Sequence, residues 1–279
     1  MTVLSNAETL LLRTDTAEVN GARITYDIVG NGHPVVLLHA GIGNRRMWED
    51  QIAVFAERFT VIRYDARGFG DTIKPPTPFS SHADLIGLLD HLGIAQAHLV
   101  GVSLGGHTAI DTAVAAPERV SALVVVGART GVPPTEVLRR GWEQVDELYE
   151  AGDVAGAVEL ELRMWVDGPN RSPDAVAAAV REKVRLMNAA LFARDDTEGE
   201  EIRLEPPAAG RLGELPVPTL VVVGDQDVPD VLAAANVLTS GIPGARKAVI
   251  PDAAHVPNME RPKVFNRLVL ELLMGLQET

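Results

Sequence analysis

The stretch His98-Leu99-Val100-Gly101-Val102-Ser103-Leu104-Gly105-Gly106-His107 decides the fold, because in it an apolar strand runs into a glycine-flanked serine and then into a helix. A serine on a sharp strand-to-helix turn occupies a strained backbone conformation, tolerable only where the residues two before and two after it lack bulk. Gly101 and Gly105 meet that demand, and the stretch reads as a nucleophile elbow. Gly-x-Ser-x-Gly can arise by chance in a chain with 25 glycines, so the flanks carry the reading. Ala97 to Val102 is a short apolar strand, and Leu104 to Ala116 is a run of small and apolar residues suited to a buried helix that ends at Pro117.

Outward from the elbow, strands and helices alternate. Upstream, residues 8 to 29 predict an antiparallel hairpin turning at Asn20-Gly21. Pro34 to Leu38 is a continuous apolar run of the kind buried on both faces of a sheet. A helix over Met47 to Arg58 and a strand over Phe59 to Tyr64 follow. Ser81 and Asp84 resemble a capping box that opens a helix ending near Gly93. Downstream, Val120 to Val126 is another buried strand. From Thr130 to Leu212 the pattern changes to three helical stretches, about Thr135 to Glu150, Val154 to Val166 and Pro173 to Phe192, entered at Pro133-Pro134 and left at Glu205-Pro206-Pro207. Alternation then resumes with a strand over Pro218 to Val223, a helix over Pro229 to Leu238, a strand over Arg246 to Ile250 and a helix over Val264 to Leu273. The expected fold is α/β, a mostly parallel central sheet flanked by helices, with residues 1–129 and 213–279 as its core and 130–212 as a helical insertion.

Composition narrows the function classes. The 279 residues are 46% hydrophobic and 23% charged, the balance of an ordinary globular protein, and the formal net charge is −13. That acidity argues against nucleic acid or an anionic membrane surface as partner. With no cysteine, a thiolate metal site and a cysteine nucleophile are impossible. No apolar run reaches the length of about 18 residues expected of a membrane span, and the first twelve residues carry no Lys or Arg to head a signal peptide, so the expected location is cytoplasmic.

A serine hydroxyl needs a base within hydrogen-bond reach and an acid to orient that base. Of the seven histidines, His255 lies in a loop just past the last strand, at the edge of the sheet where Ser103 stands. His33, His82, His91 and His98 fall at turns or element ends, His107 points into the core from the elbow helix, and His39 shapes a loop. Asp225, Asp227 and Asp230 follow a buried strand, and each could serve as a turn or N-cap residue. Asp227 has the reach toward a histidine. The position after Val126 reads Gly127-Ala128-Arg129 and offers no carboxylate. An oxyanion hole needs backbone donors, for which the N–H of Leu104 and that of Gly41 in His39-Ala40-Gly41-Ile42-Gly43 are the candidates.

Together His39-Ala40-Gly41, Asp65-x-Arg67-Gly68-x-Gly70, Gly101-x-Ser103-x-Gly105-Gly106, Gly224-x-x-Asp227 and His255-x-Pro257-x-x-Glu260-x-Pro262 resemble the α/β-hydrolase family, in its chain order of serine, acid and histidine. Leu37 to Gly41 and Trp165-Val166-Asp167-Gly168-Pro169 resemble, within it, the branch of 3-oxoadipate enol-lactonases and related carboxylesterases. Ala40 and Asp71-Thr72 depart from the family pattern without removing a reactive group. The resemblance implies a serine hydrolase that cleaves a small-molecule ester or lactone, with Ser103, Asp227 and His255 catalytic, Gly41 and Leu104 holding the oxyanion, and no metal or organic cofactor. It makes residues 130–212 a cap over the serine, where Trp165 and Trp142 are the expected substrate contacts. Arg163, Arg171, Arg181 and Arg185 are the cap's anion-binding candidates. Carbon–carbon bond hydrolysis, perhydrolase or haloperoxidase chemistry on the same triad, and a non-catalytic binding protein are the alternatives.

Overall fold

A computed structural model describes residues 11–194 and 199–276 of the chain. Residues 8–10 of the expected first strand lie outside them. The order of strands and helices is β1 (Arg13–Val19), β2 (Ala22–Val29), β3 (Pro34–Leu38), α1 (Glu49–Ala56), β4 (Thr60–Tyr64), α2 (Ser81–His91), β5 (Ala97–Val102), α3 (Leu104–Ala115), β6 (Val120–Val126), α4 (Glu136–Glu150), α5 (Val154–Glu161), α6 (Ala178–Phe192), β7 (Thr219–Gly224), α7 (Pro229–Gly241), β8 (Arg246–Ile250), α8 (Pro257–Glu260) and α9 (Pro262–Gly275).

The eight strands form one sheet in the order β1-β2-β4-β3-β5-β6-β7-β8, antiparallel at β1-β2 and β2-β4 and parallel elsewhere. The first hairpin pairs Val19 with Ala22 across Asn20 and Gly21, both at positive φ, which is the geometry a two-residue turn needs to match strand twist. The inner strands β5, β6 and β7 have no exposed residue, as expected of parallel strands covered by helices on both faces.

The chain passes from β3 outward to β4 and then returns to the other side of β3 as β5. At that reversal the loops after β3 and β5 diverge to opposite faces, opening a crevice at the carboxyl edge. The loop after β3 begins at His39, and the residue after β5 is Ser103.

The expected capping box at Ser81 is replaced by other contacts. Ser80 is the N-cap and makes no side-chain cap bond, Ser81 Oγ donates to Glu201, and Asp84 accepts from Arg67 at 2.6 and 2.8 Å. A buried guanidinium outcompetes the helix terminus for the carboxylate, since breaking such a pair costs about 3–5 kcal/mol against about 1 for a cap. The Arg67 loop is held from its other end by Asp65, which accepts from the backbone N–H of Arg45 and of Asp71 and pairs with the Arg45 guanidinium.

Between β6 and β7 the described residues form helices and no strand of the sheet. The third helix starts at Ala178, five residues later than expected, because Pro173–Ala175 forms a separate short turn of 3₁₀ helix. The second ends in a wider π-helical segment, Leu162–Asp167. No helix among the described residues is long and apolar enough to cross a membrane.

Candidate active site

Ser103 sits at φ 52° and ψ −109°, a conformation that costs a non-glycine residue about 1–3 kcal/mol. Close packing of β5 against α3 holds it there. A Cβ on Gly101 would lie 2.2 Å from the carbonyl oxygen of Gly105, and one on Gly105 would lie 2.3 Å from that of Leu38. The Ser103 N–H donates to Val126 O at 2.7 Å, which ties the turn to the neighbouring strand.

His255 Nδ1 lies 2.9 and 3.2 Å from the two carboxylate oxygens of Asp227, with both residues buried. The other two aspartates that follow β7 have different partners. Asp225 is exposed beside Gln226, and Asp230 accepts from the backbone N–H and the hydroxyl of Thr135 at 2.6 and 3.0 Å. The His255 N–H donates to Trp165 O at 3.1 Å, and the two rings lie 4.5 Å apart at 40°.

The carboxylate-free position after β6 has a use of its own. Gly127 is at φ 59°, and a Cβ there would come within 3.1 Å of His255 Nδ1 and 3.5 Å of Asp227 Oδ2. Its lack of a side chain makes room for the imidazole–carboxylate pair. The sequence signal was a glycine directly after a buried strand.

Ser103 and His255 line one cavity of about 250 Å³ with Ala40, Gly41, Ile42, Glu161, Trp165, Asn188, Leu191 and Phe192. Gly41 approaches Leu104, the first residue of α3, whose N–H belongs to the unpaired start of that helix. The Ala40 N–H is directed at the Met47 sulfur at 3.2 Å, leaving Gly41 as the donor of this pair that can face the cavity. His39 is buried and structural. Its Nδ1–H donates to Ala40 O at 2.9 Å, its Nε2 accepts from the Ala66 N–H at 3.0 Å, and burial lowers its basicity.

The remaining histidines are engaged elsewhere. The His33 and His98 rings lie 4.2 Å apart, tilted by 46°, and share Ser121 Oγ, and burial pushes His98 down to about 4. His107 hydrogen-bonds Thr130, and burial together with Arg129, Arg203 and His255 lowers it to about 4. His82 meets Ser80, and His91 sits edge-on to Tyr26.

Of the two expected substrate contacts Trp165 lines the cavity and Trp142 does not. Arg129 lies over the Trp142 ring, 5.3 Å from its centroid, and the indole packs into the helical segment. The four arginines expected as anion-binding candidates are committed to carboxylates: Arg163 and Arg185 to Glu159, Arg181 to Glu159 and Asp167, and Arg171 to Glu260. None of them lines the cavity.

Two polar cavity residues had no place in the sequence reading. Glu161 follows Ala157 and Val158 by one helical turn and precedes Trp165 by another, and that buried stripe is the signal that could have found it. Burial raises its carboxyl to about 7 against the opposing pull of His255 and a hydrogen bond from the Trp165 side chain, while Asp146 raises it further. Asn188 lies on the buried face of α6 with Val184 and Met187. Among the described residues, no cluster of His, Asp and Glu side chains could hold a metal ion.

The sequence pattern that defines the alpha/beta hydrolase fold family matches residues 33–262. The chain is 28% identical over 260 residues to 3-oxoadipate enol-lactonase 2 of Acinetobacter baylyi, covering 91% of this chain and 94% of that protein. It is 31% identical over 273 residues to a 2-hydroxy-6-oxononadienedioate/2-hydroxy-6-oxononatrienedioate hydrolase of Burkholderia vietnamiensis, covering 90% and 91%. Among solved structures it is similar to the enol-lactonase of Burkholderia xenovorans LB400, with a TM-score of 0.75, 26% identity, and coverage of 93% of this chain and all of that one.

Proposed function

The chain belongs to the alpha/beta hydrolase fold family, and from that membership and the cavity geometry we propose that it is a serine hydrolase of a small-molecule carboxylic ester or lactone. The observation that carries the reading is one cavity containing both a serine at strained positive φ and a histidine whose far nitrogen is held by a buried carboxylate.

Ser103 Oγ attacks the substrate carbonyl carbon while His255 Nε2 takes its proton, and Asp227 holds Nδ1–H and stabilises the imidazolium. The oxyanion forms against the N–H groups of Gly41 and Leu104, where losing one such donor typically costs about 10²- to 10³-fold in rate. The C–O bond breaks as His255 returns the proton to the leaving alkoxide. Water, deprotonated by His255, then attacks the acyl-serine, and the acid departs with Ser103 restored. Residues 130–212 act as the cap on a core of 1–129 and 213–279, and they contribute Glu161, Trp165 and Asn188 to the cavity.

The names of both relatives carry a dicarboxylate. That part of the likeness lacks support in this cavity, which no Lys or Arg lines. Ser103→Ala is the direct test: it should abolish turnover of short p-nitrophenyl esters and labelling by a fluorophosphonate, with an unchanged circular dichroism spectrum. Hydrolysis persisting at the wild-type rate would remove Ser103 from the mechanism.

A further inference from the structure

Glu161 Oε2 and Asn188 Oδ1 are buried without a hydrogen-bond partner, and both residues line the cavity that holds Ser103 and His255. Asn188 is only 2% exposed. Leaving a buried acceptor unpaired is costly, so two such residues in the lining of one small cavity favour a ligand that brings a donor to them. The cavity itself supplies no Lys or Arg cation, since none is among its lining residues.

Resting on the serine-hydrolase reading above, we propose that Glu161 and Asn188 form a hydrogen-bond-accepting subsite, and that the substrate presents a donor to it, a hydroxyl, amide N–H or ammonium group, and not a carboxylate. The two residues differ in what they permit. An amide can turn its NH₂ toward an anion, whereas an ionised carboxyl can only accept. Glu161 is therefore the residue that discriminates. Trp165 follows Glu161 by one helical turn and its ring lies 4.5 Å from that of His255, so the acceptor stands one indole away from the imidazole. That separation suits a donor on the acyl or alcohol chain of the substrate and not on the reacting carbonyl.

The test uses the purified enzyme at about pH 8, above the value of about 7 to which burial raises Glu161. The probes are p-nitrophenyl esters of equal chain length ending in methyl, hydroxyl, ammonium or carboxylate, across a series of lengths, each normalised to its own hydroxide-catalysed rate. At the best length kcat/KM for the hydroxyl or ammonium ester should exceed that for the carboxylate ester by at least ~10-fold, since like charges meeting in a desolvated site cost several kcal/mol. Glu161→Gln, which keeps the shape of the side chain, should shrink that ratio by about 10-fold. Equal or better turnover of the carboxylate ester by the wild-type enzyme overturns the subsite, as does a ratio that Glu161→Gln leaves unmoved. Failure to turn over any ester, with Ser103 unlabelled, overturns the hydrolase reading and the subsite with it.

Discussion

Gly127 and Asp227 show how one site is built from two unlike strand ends. The strand end without a carboxylate is a glycine at φ 59°, and it clears the space into which the carboxylate of the next strand and the His255 ring fit. Asp227 Oδ1 also accepts from the Val228 N–H at 2.8 Å, so the carboxylate is oriented before it meets the imidazole. Asp227→Asn should lower kcat/KM for ester hydrolysis by about 10⁴-fold, as neutralising the acid of a serine triad does, because an amide oriented by Val228 favours the wrong histidine tautomer. Asp225→Asn, at an exposed position, should change it only a few-fold. Steady-state kinetics on one ester separates the two, and the reverse ranking would transfer the orienting role to Asp225. The nearness of Ser103, His255 and Asp227 was legible because a serine nucleophile would need a base and an acid past neighbouring strand ends, and strand ends are readable from apolar runs. Glu161 was not. An acid at the end of a short helix reads as solvated, and only docking of α5 beside the His255 loop buries it.

At the scale of elements, the strands were legible from continuous apolar runs, and their order was not. The reversal that opens the crevice between the loops after β3 and β5 depends on how α1 and α2 pack across the sheet, which no local pattern records. The attachment of the helical segment was equally hidden. Arg171 donates to the carbonyls of Val166, Asp167 and Asp252 and pairs with Glu260 at 2.7 Å, and Glu260 accepts from the Ala254 N–H at 2.7 Å. One guanidinium thus joins the π-helical segment carrying Trp165 to the loop carrying His255. Arg171→Met leaves the buried Glu260 unpaired, which should cost about 3–5 kcal/mol of stability in urea unfolding. It should lower kcat more than it raises KM, since the His255 loop loses its brace. Arg171→Met combined with Glu260→Met should regain part of the stability and none of the rate, because the charge is gone but the brace is not restored. A double variant as fast as the wild type would show that the brace is not used in turnover.

For the molecule as a whole, the large acidic excess and a pI near 5.0 keep the chain highly charged above pH 6, so its unfolding can be followed there without the self-association that accompanies zero net charge. In that range the stability curve carries a signature of the buried cavity carboxyl. Glu161 stands at about 7 in the folded chain against 4.5 ordinarily, so between those values the folded state binds more protons than the unfolded one. Burying it costs little below about pH 4.5, and its cost grows as pH rises toward 7 and then levels off. Glu161→Gln removes that titration and leaves the others, including those of His98 and His107, which burial holds down to about 4. The variant should therefore gain stability relative to the wild type from roughly pH 5.5 to pH 7, by on the order of 1–3 kcal/mol, and the gap should stay constant above about pH 8. Chemical unfolding of both proteins across that range measures the difference directly. Parallel curves would mean that Glu161 ionises as it does in water, and that the cavity is wetter than its lining implies.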